Sequence, residues 1–404
     1  MIYKTADKTA QLKKQLHNIV TQLGDFDYTS LAAEKGACIF DGLASLSLFY
    51  YNLSLYTGEE KHYRLALGYF QQAYHQLDFS NLNLSYGSSG VMWLLNYYKE
   101  QRAFAFDFEG TLLAYDRSLV DLLDHYRDNL DPMHGLLSIG KYLLMRPNEY
   151  ADKSLKRILD VLYSDRQQSE YGTYWESDTK GPDSEPHVNF GYAHGIPAIL
   201  IFLGQLSARG INPRLAGQLL QRTQSYINHY REPDAATHFP NFVQDTLVKK
   251  NHKIAYCYGD LGVSCGLLLL NKLTGNKEAE AWSRSAGLNI AHRALEKDPN
   301  SFQDIGLCHG TAGNAHMFLK LYRKFRYKSM YEAAMKQFED LVALQREEGG
   351  IKGFFSVDYN HNTERYSDVV DFSLINGTTG VGLSILSYLN YDRRNNWDSV
   401  LALS

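Results

Sequence analysis

Three residues with metal-binding chemistry share one local pattern. In CYGDLG, Cys257 lies two residues before Gly259; in CHGTAG, Cys308 lies two before Gly310, with His309 between them. Two thiolates and an imidazole are a natural donor set for Zn2+, and three protein ligands leave a fourth position open, as in catalytic zinc sites. Spacing alone leaves a second reading open, because a cysteine outside a disulfide often serves as a small core residue. The adjacent Cys308-His309 pair is also unlike the C-x-x-C spacing of zinc fingers. Cys38, ahead of the first repeat, and Cys265, inside the apolar run VSCGLLLL, read as core residues. Four cysteines in 404 residues are too few for a disulfide scaffold.

The elements that position these residues repeat along the chain. A glycine, two further residues, a glycine or other small residue and then an apolar run recur in DGLASLSLFY, YGSSGVMWLL, HGLLSIGKYLL, HGIPAILIFL, YGDLGVSCGLLLL, HGTAGNAHMFL and NGTTGVGLSILSYL. The first glycines are Gly42, Gly87, Gly135, Gly195, Gly259, Gly310 and Gly377, at intervals of 45, 48, 60, 64, 51 and 67 residues. Each glycine implies a tight turn, through positive φ or close backbone approach. Each apolar run implies a buried helix. Between them, segments such as KHYRLALGYFQQAYHQL and KSLKRILDVLYSD place apolar residues at three- and four-residue steps, as surface helices do. No such pair buries its apolar face alone, so the pairs must stack. Seven pairs with buried inner helices suggest a closed ring: an all-α fold, an α/α toroid of seven inner and seven outer helices.

In such a ring the residues before the glycines gather at one end. They are Asp41, Tyr86, His134, His194, Tyr258, His309 and Asn376. Taken alone, His194 reads equally as a core or a site histidine, and Asp131, four residues before Gly135, reads as a turn or cap residue. Two stretches break the pattern. Residues 165–190 are polar, with Gly, Pro and Trp and no helical period, and read as irregular; residues 231–252, with His238, Phe239 and Phe242, read as a long loop. Long loops in compact domains are often functional.

Composition narrows the function. Length alone suggests two or three domains, but the repeats replace that with a single toroid over residues 1–404. Lys+Arg 41 against Asp+Glu 45 gives a net charge of −4, which argues against nucleic acid as a partner. No apolar run approaches the ~18 residues of a transmembrane segment, and the charged N-terminus lacks the apolar core of a signal peptide. Both point to the cytoplasm.

With these motifs the whole chain resembles the lanthionine synthetase C-like cyclases, the Cys-Tyr-Gly and Cys-His-Gly pair being the specific signal. The resemblance implies one Zn2+ held by Cys257, Cys308 and His309. It implies catalytic roles in proton transfer for Asp131 in DPMHG and His194 in GYAHG. Where the family carries an arginine four residues before the first cysteine, this chain has Lys253, which keeps the charge but loses the bidentate fork. The implied activity is addition of peptide cysteine thiols to dehydroalanine or dehydrobutyrine, giving the thioether rings of lanthipeptide antibiotics. The implied partners are a dehydrated precursor peptide with its leader, a separate dehydratase and an exporter, with membrane association through that biosynthetic complex. The irregular 165–190 stretch falls where bacterial members of the family carry a small β-rich insertion thought to touch the peptide, which implies the same insertion here.

Other classes fit less well. A prenyltransferase-like toroid usually has six helix pairs and an Asp, Cys and His ligand set. A six-hairpin glycosidase needs paired carboxylates, and only Asp41, Asp131 and Asp260 lie near the turns. A LanC-like zinc protein that binds glutathione or another thiol shares every motif.

Overall fold

The computed structural model describes residues 6–25, 36–104, 107–126, 129–177, 186–250, 252–296, 304–360, 365–392 and 396–404. Among the described residues the fourteen α-helices are α1 (Ala6–Asp25), α2 (Leu43–Thr57), α3 (Glu60–His75), α4 (Ser88–Glu100), α5 (Glu109–His125), α6 (Leu136–Leu143), α7 (Glu149–Asp165), α8 (Ile196–Arg209), α9 (Pro213–Tyr230), α10 (Asp260–Thr274), α11 (Lys277–Leu295), α12 (Thr311–Phe325), α13 (Lys328–Ala343) and α14 (Thr378–Leu389). The seven that begin directly after a repeat glycine are α2, α4, α6, α8, α10, α12 and α14. Their burial runs unbroken from Leu43 to Leu53 in α2 and from Ser88 to Tyr98 in α4. Helices apolar all round belong in an interior. The alternate helices bury one stripe each: in α9 the buried residues are Ala216, Leu219, Thr223, Gln224, Tyr226 and Ile227. The start of α9 is set by Pro213 in its first turn and by Asn212, whose side chain accepts the Leu215 N–H at 3.4 Å.

The chain divides into two compact units. One holds Met1–Leu77, Lys253–Tyr256 and Ile290–Trp397; the other holds Asp78–His252, Cys257–Asn289 and Asp398–Ser404. In the first, α2 packs on α3 and α14, α12 on α13 and α14, and α1 on α14. In the second, α8 packs on α9 and α10, and α7 on α5 and α6.

Short strands occupy the two irregular stretches. β1 (Gln167–Ser169) and β2 (Gly172–Tyr174) form a hairpin. β3 (Val188–Asn189), β4 (Phe242–Gln244) and β5 (Leu247–Lys249) form an antiparallel sheet in that order, with Val188 opposite Val243. The 165–190 insertion is therefore β-rich where described, residues 178–185 lying outside the described set. The 231–252 stretch is not wholly a loop. Its second half is the β4–β5 hairpin, and its first half is fastened by the buried Asp260 carboxylate, which accepts the His238 and Phe239 N–H groups at 2.8 and 3.1 Å. β6 (Ser356–Asn360) and β7 (Arg365–Val369) form a further hairpin.

The glycine turns share one hydrogen-bond pattern. In five of them, the residue after the glycine donates its N–H to the carbonyl seven residues back: Leu43 to Gly36, Ser88 to Asn81, Leu136 to Asn129, Thr311 to Asp304 and Thr378 to Asp371, at 2.8–3.1 Å. Glycine is needed there for close approach. At Gly135 φ is −104°, open to any residue, but a Cβ would overlap the Asn129 carbonyl and come within 2.6 Å of the Asp131 nitrogen. Gly259 alone of the seven has positive φ, +108°.

One buried ion cluster braces the second unit. Arg146, 1% exposed, donates to Asp116, which is fully buried, at 2.7 Å, and to Asn96 and Glu109 at 2.9 and 2.8 Å; Tyr142 donates its hydroxyl to Asp116 at 2.6 Å. Arg146→Ala leaves the Asp116 charge buried beside a lost partner, so urea denaturation should show a loss of about 3–5 kcal/mol.

Candidate active site

In the second unit, two neighbouring turns bring Asp131 and His194 together. His194 Nδ1 lies 2.8 Å from Asp131 Oδ2, with side-chain exposures of 21% and 7%. The other carboxylate oxygen, Oδ1, accepts the Met133 and His134 N–H groups at 2.7 and 2.9 Å. Asp131 is thus both the turn residue its position suggested and the partner of His194. Burial pushes its pKa up, but the hydrogen bond and charge of His194 and the two backbone N–H groups outweigh this and hold it below the ordinary carboxylate value. With Nδ1 facing the carboxylate, His194 has Nε2 left for other chemistry.

Further side chains surround this pair. His134 lies beside His194, with ring centroids 5.4 Å apart, and its other face stacks on the half-exposed Tyr86 at 5.3 Å. Burial lowers the His134 pKa. The Lys141 ammonium lies 3.7 Å from the Met133 sulfur, and burial pulls its pKa down to about 8 against the opposing pull of Asp131. A cleft at Asp131 and His194 is lined also by Trp175, Glu176, Ser177 and Asn189, so the insertion contributes one wall.

Cys257 belongs to this unit and is buried, its carbonyl accepting the Ala193 N–H at 3.3 Å. Tyr258 follows it, with its hydroxyl 3.0 Å from Asn189 Nδ2 and its ring 6.4 Å from that of His194. Gly191 admits this contact, because a Cβ there would meet the Cys257 carbonyl at 2.5 Å.

Cys308 and His309 belong to the first unit, as does Tyr256. The Tyr256 N–H donates to the Cys308 carbonyl at 2.8 Å, and the Cys308 N–H donates to the Ile375 carbonyl at 3.0 Å. Cys257 is one peptide bond beyond Tyr256. His309 Nε2 stands 3.5 Å from the carboxylate of Asp304, which is 1% exposed and also accepts the Gly306 and Val357 N–H groups, both at 3.2 Å. Burial raises the Asp304 pKa despite the opposing charge of His309 and those backbone donors. A carboxylate thus stands behind the His309 ring, an arrangement that orients a ligating imidazole. Lys253 is exposed. Cys38 and Cys265 are buried, as their core reading requires, and none of the four cysteines forms a disulfide.

A family model described as lanthionine synthetase C-like protein matches residues 35–402. The chain belongs to this family. The solved structure of nisin cyclase is similar to 97% of this chain over 98% of its own length, with a TM-score of 0.71 and 16% sequence identity. That likeness shows the fold, an α/α toroid. Glutathione S-transferase LANCL1 of Danio rerio is 28% identical over 146 residues, or 36% of this chain. The match spans only 33% of that relative's length. Among the described residues no helix is long and apolar enough to cross a membrane.

Sequence reasoning found Asp131 and His194 as family positions but gave no role to His134, Lys141, Asp304 or Asn189. The usable signals were the place of His134 directly before a repeat glycine and that of Asn189 and Asp304 six residues before one. Lys141, on α6 after Gly135, carries no such signal.

The depressed Asp131 pKa gives a testable stability profile. Its contribution is complete above the unfolded carboxylate value of ~3.9 and is lost as pH falls through the lower folded value. Urea unfolding from pH 6 down to pH 2 should therefore show a larger acid-dependent loss for the wild type than for Asp131→Asn. Parallel profiles would contradict this assignment.

Proposed function

We propose that this chain is a zinc-dependent lanthipeptide cyclase, acting as one toroid domain over residues 1–404. It joins peptide cysteine thiols to dehydroalanine or dehydrobutyrine to form lanthionine and methyllanthionine rings. Family membership and the Asp131–His194 pair support this reading most directly. The thiol chemistry rests on Cys257, Cys308 and His309 as the holders of one Zn2+. The donor set suits that ion, and two local features agree with it: Asp304 behind His309, and the Tyr256–Cys308 backbone bond next to Cys257.

When bound, zinc supplies a deprotonated peptide thiol at neutral pH. The chain's own residues do the rest. The sulfur adds to the β-carbon of the dehydro residue, and the electron pair of the double bond moves toward the α-carbon and its carbonyl. His194 delivers the proton to the α-carbon from Nε2, while Asp131 fixes the ring through Nδ1 and stabilises the imidazolium before transfer. Lys253 stabilises the enolate oxygen as a point charge. Trp175, Glu176 and Ser177 of the insertion form the wall against which the peptide lies. The partners are the dehydrated precursor with its leader, the dehydratase that prepares it and an exporter, in the cytoplasm and in a complex at the membrane.

The partial match to a protein named glutathione S-transferase favours one second reading, addition of glutathione to the same class of dehydro residue. Incubation of zinc-loaded protein with a dehydrated Cys-containing peptide, with and without glutathione, separates the two. Ring closure leaves the peptide mass unchanged and blocks its thiols, whereas glutathione addition raises the mass.

Two variants test the residues. Cys308→Ala should lose stoichiometric zinc in metal analysis; retained zinc would remove Cys308 from the ligand set. His194→Ala should keep zinc and slow cyclisation by about 10²–10⁴-fold, the range of general acid–base catalysis. Full activity would exclude His194 as the proton donor.

A further inference from the structure

We propose that Asp131, His134 and His194 form a second divalent-metal site, separate from the Cys257, Cys308 and His309 set. The three side chains each offer one ligand atom, and these atoms lie within 4.8 Å of one another. Donors around a tetrahedral ion at ~2.0–2.2 Å stand roughly 3.5 Å apart, so small side-chain adjustments close the site. The Asp131 carboxylate is already aimed: two backbone N–H groups hold Oδ1, and Oδ2 is 2.8 Å from a His194 ring nitrogen.

His134 provides the independent observation. Its Nδ1 is buried and makes no hydrogen bond. A buried ring nitrogen in that state is costly, and a metal bond or small rotation of the ring toward an ion relieves it. Tyr86 stacks on the ring at an interplanar angle of 17° and holds its plane. Two imidazoles and one carboxylate with open positions suit Zn2+, Co2+ or Ni2+ rather than Mg2+ or Ca2+. Lys141 opposes the ion, since its ammonium is close enough to act on both Asp131 and His134. The site should therefore bind more weakly than a two-thiolate site. An ion there would occupy the Asp131–His194 pair and block proton delivery, so excess metal would inhibit. That consequence rests on the cyclase reading, but the binding itself does not.

Titration of the metal-free full-length protein with Co2+ tests the site without an activity readout. Two ions should bind. The tighter one should bring intense near-ultraviolet thiolate-to-cobalt bands, and the weaker one only faint visible bands. His134→Ala should stop at one ion and keep the thiolate bands. Lys141→Met should bind the second ion about tenfold more tightly, because one nearby cation is gone. Saturation of the wild type at one ion with thiolate bands would overturn the proposal. So would a second ion that survives His134→Ala, or a second-ion affinity unchanged in Lys141→Met. Faint visible bands without thiolate bands would support this site while removing the cysteines from the first.

Discussion

Hydrogen bonding from one glycine turn to the next, through backbone and side chain, is the constraint on which the rest depends. In the second unit, the Ser85 hydroxyl donates to the Met133 carbonyl at 2.5 Å, Asp131 meets His194, and the Ala193 N–H donates to the Cys257 carbonyl. In the first, Tyr256 donates to Cys308, Cys308 to Ile375, and Leu374 to Phe40 at 2.7 Å. A turn can serve both its own helix and its neighbour only where the backbones touch. Within the turns the chain folds back on itself so closely that a Cβ at Gly42, Gly87, Gly135, Gly195, Gly310 or Gly377 would overlap the backbone of its own turn. Where the second small residue of a repeat is Ser45 or Ser138 instead of glycine, the hydroxyl serves the turn. Ser45 and Ser138 donate to the Gly42 and Gly135 carbonyls at 2.7 and 2.6 Å, and Ser138 also accepts the Leu84 N–H at 3.1 Å.

Two histidines of the turns have a carboxylate within reach, and the two carboxylates differ. Asp131 receives two backbone N–H groups on one oxygen and a short contact from His194 on the other, so its charged form is favoured. Asp304 is more deeply enclosed, and its histidine is farther away, so burial prevails and its pKa rises. The first arrangement holds a charged carboxylate directly against the ring. The second suits a ring held in one orientation. The same residue pair, one buried Asp and one His, thus sits in two electrostatic settings through distance and burial alone.

The repeat architecture was legible because it is periodic. Seven Gly-turn segments marked the starts of seven buried helices, and three- and four-residue steps marked the helices between them. The turn conformation was only half legible: positive φ and close approach both call for glycine, and only Gly259 uses positive φ. The β4–β5 hairpin in 231–252 was missed because three-residue strands carry almost no alternation, and Asp245, between them, adopts positive φ. In the site, Asp131 and His194 were visible through family motifs; Asn189 and Asp304 each stand six residues before a repeat glycine, as Asn81, Asn129 and Asp371 do, a spacing upstream of the Gly-turn pattern, and Lys141 has no such signal. Tyrosines also pack on one another beside the insertion: Tyr174 and Tyr230 lie against Tyr226, with ring centroids 4.7 and 5.1 Å away.

The Leu374–Phe40 bond joins residues separated by 334 positions. During synthesis, the first glycine turn is therefore exposed long before the strand of chain that completes it leaves the ribosome. Helices α2 and α3 can pair early, but the polar backbone of their turn must wait in water or in the keeping of a chaperone. Folding of such a chain is governed by its longest loop closure, so the protein should be slow to mature and most vulnerable to aggregation while the last repeats are still being made.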